Sequence, residues 1–182
     1  MSDLPFTSAA ILGSGSFGMA LAKLLAPQLE SIHLIGRDPE IAAAINATRR
    51  NPHYLSDIEL ATNVHASTAL NDALGHPLII FAVPTSATRE LATALAAADL
   101  SREVTLLSCA KGIEKSTGDR LSQVLREVFP RHPIAALSGP NHAEEIATAM
   151  ATCAVIGSED HALAVRLQDL FTLPHFRSYT SD

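Results

Sequence analysis

The sequence predicts an α/β fold in which a doubly wound, mainly parallel sheet carries helices on both faces. Three observations lead there. Short apolar runs of strand length alternate with segments of helical period along the whole chain. The segment "PLIIFAVP" (77–84) is continuously apolar, as a strand covered on both faces must be. At the first strand–helix junction, three glycines stand in the pattern GxGxxG within "GSGSFG" (13–18).

The elements follow in order. "AAILG" (9–13) is a first strand, and Phe17, Ala20, Leu21, Leu24 and Leu25 recur at helical spacing up to Pro27. "SIHLIG" (31–36) is a second strand, and residues 39–50 form a helix with Pro39 in its first turn. The polar run 51–63 is a loop lying over other structure. Residues 64–75 predict a short strand and a helix, 77–84 a strand and 88–98 a helix. Residues 103–110 predict a strand, 119–129 a helix and 132–140 a strand ending in a Gly-Pro turn. Then come a helix (143–150), a strand (152–158), a helix (161–171) and a final strand from His175. With no linker or low-complexity stretch, residues 1–182 are expected to form one domain.

Composition excludes several classes. A 47% hydrophobic content suits a packed core, and a formal net charge of −6 argues against a nucleic-acid binder. The two cysteines are far apart and the eight histidines are scattered, so neither a disulfide framework nor a metal site is expected. The opening "MSDLPF" lacks the basic and apolar regions of a signal peptide, and no apolar run approaches membrane-spanning length. A cytoplasmic protein without membrane insertion is the expectation.

GxGxxG after a strand and at the start of a helix, in a Rossmann-type unit, is a dinucleotide-binding signature. Gly13 permits the tight turn, Gly15 admits a pyrophosphate to the backbone, and Gly18 lets helix and strand approach. Ser16 and Phe17 offer backbone amides at the helix start, where phosphate charge is favoured. At the end of the second strand, "GRDP" places Arg37 before Asp38. Arginine there pairs with a 2′-phosphate and stacks on adenine, so NADP(H) is expected over NAD(H). Asp38, next to Pro39, is a helix cap.

Three later strand ends carry candidates. Pro84 could brace the ring side of a cofactor, while Thr85 or Ser86 could cap the next helix. Lys111 in "AKGIE" could meet an anionic group or a substrate oxygen, or lie on the surface. In "LSGPNHAEE", Asn141 could cap a helix or bond a substrate hydroxyl, and His142 could be a general base or polar surface.

Taken together, "GSGSFGMALA", "GRDPE", "INATRRNPHYL", "FAVPT", "AKGIE", "LSGPNHAEEIA" and "FRSYTSD", in this order and spacing, resemble the bacterial NAD(P)-dependent glycerol-3-phosphate dehydrogenases. The resemblance implies hydride transfer between NAD(P)H and dihydroxyacetone phosphate to give sn-glycerol 3-phosphate for phospholipid synthesis. It implies cofactor contacts at Ser16, Phe17, Arg37, Tyr54 and Ala143. Lys111 matches a position touching both cofactor and substrate, and Gly139 and Asn141 match substrate contacts. Phe17 stands where that family commonly has tryptophan, Asn141 where serine or threonine is usual, and His142 where an aromatic residue is common. The last departure leaves the general-base reading of His142 without family support. The family also continues into a helical domain with the phosphate site and the principal catalytic lysine, so 1–182 is expected to be its cofactor-binding domain, with little or no turnover alone. A homodimer is left open. Two other readings remain: the cofactor domain of another β-hydroxy-acid or ketopantoate-type dehydrogenase, which "KGIE" and "SGPNHAEE" argue against, and a non-catalytic nucleotide-binding module.

Overall fold

The computed structural model describes residues 6–181; the segment 1–5, and with it most of the opening read for a signal peptide, and Asp182 lie outside the described residues. The predicted strands all form: β1 (Ser8–Leu12), β2 (Ser31–Ile35), β3 (Val64–Ser67), β4 (Leu78–Phe81), β5 (Thr105–Ser108), β6 (Ile134–Ser138), β7 (Thr152–Gly157) and β8 (Phe176–Ser181). They build one sheet in the order β3-β2-β1-β4-β5-β6-β7-β8. Neighbours run parallel except β6 and β7, which are antiparallel. The central strands are buried on both faces, which is why "LIIF" in β4 carries no polar alternation.

The helices are α1 (Ser16–Leu25), α2 (Pro39–Thr48), α3 (Thr85–Ala97), α4 (Leu121–Val128), α5 (Ala143–Ala147) and α6 (His161–Phe171). Two cores result. One lies under α1, α2, α5 and α6 and includes Met19, Leu21, Ile45, Ile146 and Phe171. The other lies under α3 and α4 and includes Ile79, Phe81, Leu95 and Leu125. Among the described residues no helix is long and apolar enough to cross a membrane.

Helix ends follow local chemistry, with three departures from expectation. Asp38 caps α2 as predicted, accepting from the N–H of Glu40 (2.9 Å) and Ile41 (3.4 Å). Neither Thr85 nor Ser86 caps α3. Pro84 holds the N-cap position, its backbone already extended at ψ 148°, so Thr85 is the first helical residue. Asn141 does not cap α5 either: His142 takes that place, and its N–H is met by the Glu145 carboxylate (3.2 Å). The helix expected within 64–75 shrinks to a single 3-10 turn, Leu70–Ala73, because Gly75 and Pro77 leave no room for another turn before β4.

Three histidines, on β2, on the edge strand β3 and just before β4, approach one another. His33 Nδ1 lies 3.1 Å from His76 Nε2, and His76 Nδ1 lies 2.9 Å from Ser8 Oγ. The His65 ring stands 5.8 Å from that of His33. Burial first, and His33 second, hold His76 below the ordinary 6.5, with Asp72 opposing. His132, packed edge-on to Phe129, is lowered as well, again chiefly by burial. Imidazoles kept neutral by the fold take up protons more readily in the unfolded chain, so stability is full above 6.5 and declines as the pH falls below it. Thermal melts should therefore show a falling midpoint as the medium is acidified through that value, with a shallower slope in His76→Gln.

Candidate functional site

The chain leaves β1 towards β2 and β3 on one side, then returns to β4 on the other. Where the order reverses, the carboxyl ends of β1 and β4 open a crevice, the place where such sheets accept ligands. A cleft of about 1120 Å³ occupies it. The glycine turn forms its floor, Gly36–Asp38 and Tyr54 one end, Ala82–Pro84 and the first turns of α3 a wall, and Cys109–Lys111 with Asn141–Ala143 the other end.

The glycine turn is held by close packing. Gly13 sits at φ 115°, and a Cβ there would stand 2.5 Å from the Ala82 carbonyl oxygen. A Cβ on Gly18 would run into the Gly13 carbonyl, so α1 lies as near to the end of β1 as a helix can. Around Gly15, by contrast, nothing lies within 4 Å of an added Cβ. Gly15 is the N-cap of α1 and has no capping side chain. The N–H groups of Gly15, Ser16 and Phe17 have no hydrogen-bond partner among the described residues. Open space in front of free amides at a helix start suits an anion.

At one end of the cleft, Arg37 is exposed and makes no ion pair among the described residues, while its neighbour Asp38 is committed to α2. Tyr54, 44% exposed, stands on the loop beside it. The sequence suggests a loop lying over other structure; that structure is the glycine turn, reached through a residue not foreseen. Asn51 is fully buried and donates from Nδ2 to the Ser14 carbonyl (2.8 Å).

At the other end, Lys111 donates from Nζ to the main-chain carbonyl of Asn141 (2.6 Å) and lies 5.6 Å from the centre of the Phe17 ring. The segment after it is braced by two residues that sequence reasoning missed. Arg89 on α3 grips Glu114 with two bonds, Nε to Oε1 (2.8 Å) and Nη2 to Oε2 (2.7 Å), and also pairs with Glu127 on α4 (2.8 Å). The Arg89 bonds, then the Thr117 hydroxyl, hold the Glu114 carboxyl down at about 2.

Asn141 is buried, with Nδ2 bonded to the Cys153 carbonyl (3.0 Å) and Oδ1 without a partner among the described residues. Its side chain thus holds β7, and its main chain receives Lys111. Pro84, Ala143 and His142 also line the cleft. Gly139 and Gly18 do not. A Cβ on Gly139 would come within 2.9 Å of the Cys153 oxygen, so the structure places it behind the cleft, packed against β7.

The family model described as "NAD-dependent glycerol-3-phosphate dehydrogenase N-terminus" matches residues 8–164. Over 182 residues the chain is 37% identical to a glycerol-3-phosphate dehydrogenase [NAD(P)+] of Clostridium tetani, covering 100% of this chain and 52% of that one. A protein of the same name from Myxococcus xanthus is 41% identical over 175 residues, covering 94% and 52%. The chain therefore spans about half the length of these curated relatives. The crystal structure of glycerol-3-phosphate dehydrogenase from Coxiella burnetii superposes with a TM-score of 0.89 at 26% identity, covering 97% of this chain and 54% of that one.

The Arg89–Glu114 brace has a pH signature. A carboxyl held below its ordinary 4.5 lends stability above that value and loses it as the pH falls towards about 2. Glu114→Gln should melt at a lower temperature than the native chain at neutral pH. The gap should close across that acid window in paired melting curves.

Proposed function

The chain belongs to the NAD-dependent glycerol-3-phosphate dehydrogenase N-terminal family, and from that premise we propose that residues 1–182 are the cofactor-binding domain of an oxidoreductase that interconverts dihydroxyacetone phosphate and sn-glycerol 3-phosphate. The supporting observation is the cleft itself: amides at Gly15, Ser16 and Phe17 that have no partner among the described residues line the same space as Lys111.

The residues fit a dinucleotide from end to end. Gly15 leaves room for the pyrophosphate, and the α1 amides supply donors to it. Arg37 and Tyr54 flank the adenosine end, with Arg37 as the 2′-phosphate partner that favours NADP(H) over NAD(H). Pro84, Ala143 and Phe17 border the nicotinamide end. When bound, the nicotinamide supplies or takes up the hydride. Lys111 stabilises the negative charge that develops on the substrate oxygen as the ketone is reduced. Asn141 orients Lys111 through its carbonyl. Residues 1–182 match only about half the length of these relatives, and we infer that the remaining proton donor and the substrate phosphate site lie in the other half, so that this segment by itself binds cofactor with little or no turnover.

Fluorescence titration of the chain with NADPH and NADH tests the binding reading; no saturable signal with either would overturn it. Arg37→Ala should weaken NADPH by about tenfold more than NADH, and equal losses would remove Arg37 as the 2′-phosphate reader. In a version extended by the rest of the enzyme, Lys111→Ala should lower kcat by about a hundredfold, whereas Thr85→Ala, outside the cleft lining, should change it little.

A further inference from the structure

A glycine that leaves space for a phosphate also leaves its own peptide free to turn over. At Gly15 even an added Cβ would meet nothing within 4 Å, so rotation of the Ser14–Gly15 peptide meets no side chain of its own. Turned one way, the peptide offers its N–H to the cleft; turned the other way, it offers a carbonyl oxygen and repels an anion. Some other residue must set the direction.

Asn51 is placed to do so. It is completely buried and lies outside the cleft lining, and its Nδ2 holds the Ser14 carbonyl at 2.8 Å. In a planar trans peptide the C=O and the following N–H point in opposite directions. With the Ser14 carbonyl drawn down to Asn51, the Gly15 N–H faces away from Asn51, and it has no partner among the described residues. Ser14 is located from a second side as well, since its hydroxyl occupies the space where a Cβ on Gly36 would be. The other end of the Asn51 amide is equally committed. Oδ1 accepts from the N–H of His53 (2.9 Å) and of Tyr54 (3.1 Å).

We propose that Asn51 is a positioning residue for the dinucleotide: it aims the Gly15 N–H at the pyrophosphate and ties that aim to the loop bearing Tyr54 at the adenosine end. This rests on the cofactor reading of the cleft. A filler of the same shape without a donor at Nδ2 would preserve packing and lose the aim.

Asn51→Asp supplies that change and the test. Its carboxylate still accepts from His53 and Tyr54 but cannot donate to the Ser14 carbonyl. In mildly alkaline solution the variant should bind ADP-ribose about tenfold or more weakly than the native chain, the loss expected for one hydrogen bond to a charged group. On acidification the buried carboxyl takes up a proton and regains an O–H donor, so the affinity of the variant should rise towards that of the native chain. Folded variant with native affinity throughout, or a loss that acid does not reverse, would overturn the proposal; a merely structural role moves the melting temperature and gives no acid recovery. If the variant does not fold, the native chain decides. Its Gly15 amide proton should move downfield in NMR spectra on addition of ADP-ribose but not of adenosine, and an unmoved signal would sink the proposal. Failure of the native chain to bind ADP-ribose at all would instead remove the parent reading, and this inference with it.

Discussion

The close approach of α1 to the end of β1 is the constraint on which the cleft depends. Gly18 lies against the Gly13 carbonyl, with no room for a Cβ. That contact brings the first turn of α1 to the crevice between β1 and β4, where three amide donors have no partner among the described residues. It also sets where Phe17 stands, and therefore which surface meets the Lys111 ammonium 5.6 Å away. A methyl group at Gly18 would push the helix off the strand and move all of these together.

The opposite wall is set by a different device. β6 and β7 run antiparallel, and Gly139 at their junction lets β7 come close enough for Asn141 to bond the Cys153 carbonyl. With its side chain so used, Asn141 turns its own carbonyl to Lys111. The loop carrying Lys111 is then fixed on its far side by Arg89 and Glu114, which link it to α3 and, through Glu127, to α4. Much of a surface ion pair's Coulomb energy is lost to solvent. The two-point grip matters here for geometry: it holds the chain just beyond Lys111 in one orientation.

What the sequence made legible was local. The glycine pattern, the buried run of β4 and the Asp38 cap each depend on neighbours within a few positions, so composition and spacing carry them. What it hid was long-range. Asn51 meets Ser14 across 37 positions, and Arg89 meets Glu114 across 25. Nothing in "RRNPHYL" distinguishes an asparagine that starts a turn from one that also braces a distant peptide; in fact Asn51 does both. Thr85 failed as a cap because the proline before it had already supplied the helix entry, and Asn141 failed because α5 starts one residue later, with His142 at its N-cap, while the Asn141 amide nitrogen is tied to the Cys153 carbonyl on β7, remote in sequence. Gly139, matched by resemblance to a substrate contact, also has a packing role that the sequence did not show, since an added Cβ would come within 2.9 Å of the Cys153 oxygen.

The partners of Lys111 bear on what it can do. Among the described residues its ammonium meets a carbonyl dipole and an aromatic face, and no carboxylate. A carboxylate would neutralise the charge and would have to be displaced before a substrate oxygen could use it. A dipole and a ring hold the ammonium in position while leaving most of its field directed at the cleft. Such a cation is preorganised: the cost of fixing it is met in folding, by the Arg89–Glu114 grip and the Asn141 bond, before any ligand arrives. The same logic governs the other wall, where Asn51 fixes a peptide rather than a side chain. At the floor and at the Lys111 end of the cleft, then, hydrogen bonds made by buried residues, Asn51 donating to the Ser14 carbonyl and the Asn141 carbonyl accepting from Lys111, bear on the direction of a polar group.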